Sequence, residues 1–206
     1  FDELSESMFL TSSYAYTSAE QAERAFKGEE EHYLYSRYGN PTVSVFEERM
    51  KMMEKADICQ STASGMGAVF ASLACMLKAG DRLVASKALF GSCDYVCSVL
   101  MPRYGIDVVT VLSSDTNVWE RALSKPTDAV FLETPSNPMM QMFDISAIAE
   151  LTKKAGGRLI VDNVFATPVF QQPLELGADV VVYSTTKHVD GQGRTVGGAI
   201  LSNDEV

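Results

Sequence analysis

Residues 180–188 read VVVYSTTKH. Three valines and a tyrosine form an apolar run without a polar break, and the polar STTKH follows at once. A strand that is apolar at every position, not at every second one, is buried on both faces, as in a parallel sheet covered by helices. The same short pattern recurs along the chain. It predicts strands over 58–61, 82–85, 107–112, 129–132, 158–161 and 180–183, and a last one over 198–201. Helical stretches lie between them over 43–55, 65–77, 93–103, 118–123 and 145–155, the last stopped by Gly156 and Gly157. This alternation gives an α/β class, a mostly parallel sheet with helices on both faces. Ligands of such sheets bind beyond the carboxyl ends of the strands, so the residues just after each apolar run are the ones to inspect.

The first 42 residues follow a different pattern. Residues 18–27 read as a short polar helix capped by Ser18, with Gln21 three positions on, and Gly28 ends it. The stretch YLYSRYGNPT, residues 33–42, is aromatic, lacks apolar periodicity and is broken by Gly39 and Pro41. The expectation is an arm over 1–42 that lies across another surface, and an α/β domain over 43–206.

Composition narrows the function. A chain of 206 residues suffices for one large domain with a buried core. With 46% hydrophobic and 21% charged residues it is neither disordered nor fibrous. A net charge of −10 repels polyanions, so nucleic acid is not an expected partner, and an anionic ligand needs a local positive site. No apolar run is long enough for a membrane span, and no secretory signal is visible in a sequence that starts at Phe1. The four cysteines, Cys59, Cys75, Cys93 and Cys97, form no C-x-x-C pair, and the histidines, His32 and His188, stand apart from them. No metal site is expected, and packed, reduced thiols in a cytoplasmic protein are the reading.

Three strand ends carry possible chemistry. Ser61-Thr-Ala-Ser64-Gly65-Met66-Gly67 joins a strand to a helix. Small residues and free helix-start amides suit an anion, although a tight turn with a serine cap uses the same residues. The segment is neither a triphosphate loop nor a dinucleotide fingerprint. Asp162, after RLIV, could cap a loop, bind a metal or hold a protonated ring nitrogen. After VVVY come Ser184, Thr185 and Thr186, whose hydroxyls suit phosphate oxygens, and then Lys187. A lysine desolvated beside a cationic ring becomes a nucleophile toward aldehydes. An anion turn, a strand-end carboxylate and a strand-end lysine in one sheet are together what pyridoxal 5′-phosphate (PLP) requires. Phe90, in LFG, could lie on a flat cofactor or belong to the core. Asn137, in the TPSNP loop after Glu133, could donate to a ring oxygen or a carboxylate.

The motifs YSRYGNPT, SGMGA, ETPSNP, VDNVFATP and YSTTKH, in this order, resemble those of the Cys/Met-metabolism PLP enzymes. The resemblance covers the whole chain. It implies the aspartate-aminotransferase-like (fold type I) large domain, PLP as cofactor, a small amino-acid substrate, and a homo-oligomer, a dimer of dimers with shared active sites. By resemblance Lys187 matches the lysine that holds PLP as a Schiff base, and Asp162 the partner of the pyridinium nitrogen. Ser64, Gly65 and Met66 match the phosphate turn, with Ser184 and Thr186 adding hydroxyls. Tyr35 and Arg37 match the pair that reaches the phosphate of a neighbouring subunit, which makes 1–42 an inter-subunit arm, and Asn137 matches the asparagine at the ring.

Within the family, KHVDGQGRTVGG, the Phe of LFGSC and the Val of DNVFATP resemble O-succinylhomoserine sulfhydrylases of methionine biosynthesis, where cystathionine synthases and lyases more often carry KY-x-x-GHSD. That implies replacement of succinate by sulfide. Cystathionine γ-synthase or γ-lyase chemistry is the alternative, and a non-catalytic binding or assembly module is the alternative from another class. Arg194 is the candidate for reading the succinyl group, and a plain turn between strands is the competing use of its loop. Phe90 departs from the family, which mostly stacks a tyrosine there. The family also has a C-terminal domain with the arginine that grips the substrate α-carboxylate, and that domain is expected to lie outside residues 1–206.

Overall fold

The computed structural model describes residues 4–203. The chain divides into two compact units, Phe1–Arg49 and Met50–Val206.

In the first unit Ser18 caps the helix Ala19–Phe26 by accepting the Gln21 amide, and the Gln21 side chain reaches back to the Thr17 amide at 2.7 Å. Gly28 turns the chain away at φ +73°. The aromatic stretch pairs once with the segment before it, in an isolated bridge between Ser13 and Tyr35. The next helix is Pro41–Glu54, two residues earlier than its expected start. The reason is local: Asn40 accepts the Thr42 amide at 2.9 Å, and Pro41 fills the first helical position, where no amide hydrogen is needed. The Asn-Pro pair that looked like a break is a helix start.

The second unit is built on a sheet of seven strands: β1 Ile58–Thr62, β2 Arg82–Ser86, β3 Asp107–Val111, β4 Ala129–Glu133, β5 Arg158–Asp162, β6 Val180–Ser184 and β7 Gly198–Ser202. Their order is β1-β7-β6-β5-β4-β2-β3. From β6 to β3 neighbouring strands run parallel, while β7 lies antiparallel between β6 and β1. The α/β class with a mostly parallel sheet is as expected. All five residues of β4 are buried, as are Leu159, Ile160 and Val161 in β5 and Val180, Val181 and Val182 in β6. Strands covered on both faces read as continuous apolar runs for this reason.

Strands β4, β5 and β6 each run one residue past their expected ends and take in Glu133, Asp162 and Ser184. The ladder continues through them, with Glu133 in register with Asp162. The helix expected over 93–103 starts at Gly91 and winds as π over Val96–Leu100 before it ends with Met101–Arg103. The helix expected over 118–123 is Thr116–Ala122, because Asp115 caps it through the Asn117 amide. A short helix, Thr167–Phe170, was not foreseen.

Candidate active site

The carboxyl ends of β4, β5 and β6 open onto one cleft of about 280 Å³, closed on another side by the start of the helix Gly65–Met76. Nine expected residues line it: Ser64, Gly65, Met66, Phe90, Asn137, Asp162, Ser184, Thr186 and Lys187. Residues 64 to 187 are far apart in sequence, and the sheet alone gathers them.

Close packing makes the anion side. Ser64 spends its hydroxyl on the Gly67 amide at 3.0 Å. The amides of Gly65 and Met66 stand at the helix start, where no acceptor exists within the helix. A β-carbon on Gly65 would meet Cβ of Ser184 at 2.5 Å, so only glycine lets this helix start approach the end of β6. Behind it, a β-carbon on Gly198 would meet the Ser64 carbonyl oxygen at 2.4 Å. Thr186 is held in place through its hydroxyl, which donates to the Gly197 carbonyl at 3.3 Å and accepts the Gly197 amide at 3.1 Å. Gly65 and Met66 at the helix start, Ser184, Thr186 and Lys187 therefore line one cavity in an otherwise acidic chain. A phosphate with a reactive aldehyde fits this donor set.

The opposite side is acidic. Burial pushes the Asp162 carboxyl up to about 6, against the pull of the Val164 amide, which it accepts at 3.0 Å. Burial likewise raises Glu133 to about 7, with the nearby Asp162 charge adding to it and the amides of Phe90 and Asn137 opposing. Two buried carboxyls at adjacent strand ends are ready to hold a cationic group. Cys93 also lines the cleft, with Sγ 3.9 Å from Sδ of Met66, and burial raises its thiol far above the ordinary value. Sequence reasoning gave no role to Glu133, Cys93 or Phe165. For Glu133 the signal was present, since a charged residue ends an apolar strand there just as Asp162 does.

The other expected residues lie elsewhere. Arg194 is not among the lining residues. Its side chain is 65% exposed and its Nε sits 3.8 Å from Oδ1 of Asp190, whose Oδ2 accepts the Arg194 amide at 2.8 Å. Tyr35 and Arg37 belong to the first unit, where the Arg37 guanidinium lies 5.0 Å from the ring centres of both Tyr35 and Tyr38. A larger hollow of about 640 Å³ in that unit is lined by Tyr14, Glu30, Glu31, His32 and Tyr33, with no lysine and none of the expected site residues. Among the described residues no three His, Cys, Asp or Glu side chains gather as a metal site, and no helix is long and apolar enough to cross a membrane.

A family profile described as "Cys/Met metabolism PLP-dependent enzyme" matches residues 1–206. O-succinylhomoserine sulfhydrylase of Mycobacterium tuberculosis is 60% identical over 205 residues, which are 100% of this chain and 50% of that protein. The Pseudomonas aeruginosa protein of the same name is 44% identical over 200 residues, 97% of this chain and 50% of its own. A crystal structure of a putative O-acetylhomoserine (thiol)-lyase from Campylobacter jejuni, containing N′-pyridoxyl-lysine-5′-monophosphate, superposes with a TM-score of 0.92 at 32% identity, covering 98% of this chain and 50% of that one. The chain spans about half the length of the curated relatives it matches.

Proposed function

The chain belongs to the family of Cys/Met metabolism PLP-dependent enzymes, and we propose that it forms the cofactor-binding part of an enzyme that turns O-succinylhomoserine and sulfide into homocysteine and succinate. One observation carries the chemistry: Lys187, Asp162 and the helix start at Gly65 face a single cleft. The choice of reaction rests on the 60% identity, across the whole chain, to the sulfhydrylase of M. tuberculosis.

PLP bound here supplies an electron sink for negative charge at the α-carbon of an amino acid. The chain's own residues do the rest. Lys187 forms the covalent link to the cofactor aldehyde. When free of that link, its Nζ would take the substrate α-proton and return protons to the substrate carbons. Asp162 holds the proton on the ring nitrogen. The amides of Gly65 and Met66 and the Ser184 hydroxyl would hold the phosphate, with Ser64 fixing the turn, and the Thr186 hydroxyl would join them by turning its proton from the Gly197 carbonyl. Phe90 would stack on the ring and Asn137 would donate to its oxygen, since both line the cleft. Phe90 has no hydroxyl, so a proton role given to a tyrosine elsewhere in the family falls to Lys187.

We assign 1–42 as an arm toward a neighbouring subunit, in which Tyr35 and Arg37 serve the neighbour's phosphate in a dimer of dimers, and 43–206 as the PLP domain. The assigned compartment is the cytoplasm and the pathway is methionine biosynthesis. The test is product analysis of the full-length protein with O-succinyl-, O-acetyl- and O-phosphohomoserine, each with sulfide, with cysteine and with neither. Homocysteine from the succinyl ester and sulfide is expected. Cystathionine from cysteine, or 2-oxobutyrate without a sulfur donor, would move the enzyme to a sister reaction. A protein that takes up no PLP would leave the binding-module reading.

A further inference from the structure

Glu133 is 1% exposed and ends β4 beside Asp162. Its Oε2 accepts the Phe90 amide at 2.6 Å and its Oε1 accepts the Asn137 amide at 3.2 Å. Phe90 opens the helix that follows β2, and Asn137 sits in the loop that follows β4. One carboxylate thus ties two separate loops, and both bonds go to backbone, so they fix where the loops stand whatever side chains they carry. Burying a carboxylate is costly, and an apolar residue would close the sheet end more cheaply. The two amide bonds are what the charge obtains in return.

We propose that Glu133 is a positioning residue for the cofactor ring: by holding the Phe90 and Asn137 loops together it sets the walls between which the ring lies. The inference rests on the reading that PLP occupies this cleft. A glutamine at 133 offers one acceptor oxygen and turns its amino group toward the second amide, so one bond is lost and two donors face each other. One wall then shifts.

The test is PLP binding to the full-length protein, followed by absorbance and by the circular dichroism that the protein induces in the visible cofactor band. Glu133→Gln is expected to raise the PLP dissociation constant roughly tenfold, the scale of one lost hydrogen bond to a charged group. It should also weaken the induced band per bound cofactor, with borohydride still trapping PLP on Lys187. In a Phe90→Ala/Asn137→Ala background, where both walls are already gone, the same change should cost about twofold or less. Glu133→Asp keeps both acceptor oxygens on a shorter arm and should fall between wild type and Gln, and it takes the place of Gln in the cycle if Gln does not fold. Unchanged binding in Glu133→Gln, or a loss equally large in the emptied background, overturns the proposal. A wild-type protein with no reducible PLP adduct on Lys187 would instead overturn the reading beneath it.

Discussion

Gly65 and Ser184 are packed so closely that a β-carbon on the first would stand 2.5 Å from the β-carbon of the second. The contact joins the start of a helix to the end of β6, two residues before Thr186 and three before Lys187. Gly65→Ala should therefore push the anion cradle off the strand that carries the lysine, and lower PLP affinity roughly tenfold or more by displacing amide donors. Gly67→Ala is the control, because its β-carbon would meet Ser64 Oγ at 3.4 Å and Thr62 Cβ at 3.7 Å, which are ordinary contacts. It should bind PLP within a few-fold of wild type. Equal affinity in wild type and Gly65→Ala would mean that this packing does not hold the cradle.

Asp162 is 7% exposed at the end of β5 and accepts the Val164 amide. A neutral amide there fills the same space but cannot hold the proton on a ring nitrogen as a carboxylate does. Asp162→Asn should fold, keep the trapped adduct on Lys187, and slow the exchange of the substrate α-proton with deuterium by roughly a hundredfold or more. Exchange at the wild-type rate would refute the role.

The strands were legible because they are buried on both faces, and continuous apolar runs have few other uses. Lys187 and Asp162 were legible because each follows such a run directly. Three things were harder to read. Asn40-Pro41 starts a helix, and only the side-chain bond to the Thr42 amide separates that from a turn. Glu133 carried the same strand-end signal as Asp162, but its partners are backbone amides of loops 43 and 4 residues away, and sequence type does not encode such bonds. Arg194 was placed near the site by its distance along the chain. The hydrogen bonds of Asp190 to the amides of Gln192 and Arg194 turn that loop on itself and leave the guanidinium exposed.

Arg37 keeps its guanidinium between the rings of Tyr35 and Tyr38. If it grips the phosphate of a neighbouring subunit, it is useless to its own Lys187. Arg37→Ala and Lys187→Ala proteins should each be nearly inactive. Mixed under conditions in which subunits exchange, they should regain up to about a quarter of wild-type sites, since hybrid sites then hold both native residues. Exchange without any recovered turnover would place both residues in the same subunit's site.

Arg194 is paired with Asp190, whose carboxyl is held below its usual value first by the Arg194 amide and then by the Thr195 hydroxyl. To read a succinyl carboxylate the guanidinium has to leave that weak pairing, and its exposure permits this. Arg194→Ala should lower kcat/KM for O-succinylhomoserine roughly tenfold more than for O-acetylhomoserine, whose acyl group has no charge to lose. An equal fall for both donors would give Arg194 a role in the loop alone.

Glu54 is fully buried, takes a hydrogen bond from the Tyr183 hydroxyl, and is pushed up to about 7, chiefly by burial, with Glu175 adding to the shift. The Tyr183 hydroxyl in turn accepts from Asn163 Nδ2 at 2.6 Å, so this carboxyl is tied to the carboxyl ends of β5 and β6. The sign follows from linkage. A carboxyl raised in the folded state binds more protons there than in the unfolded chain, so its share of stability is full below about 4.5 and is lost as pH rises through 7. Glu54→Gln removes this titration with little change of shape. Between pH 5 and pH 8 the wild type should therefore lose more stability than the variant, by on the order of 3 kcal/mol. Urea unfolding at the two pH values, with cofactor held at the same occupancy, measures the difference. Cofactor occupancy matters because Asp162 and Glu133 are raised in the same direction and titrate over the same range. Parallel pH profiles for the two proteins would mean that Glu54 is ionised in the fold throughout, and that its bond with Tyr183 offsets the cost of burial.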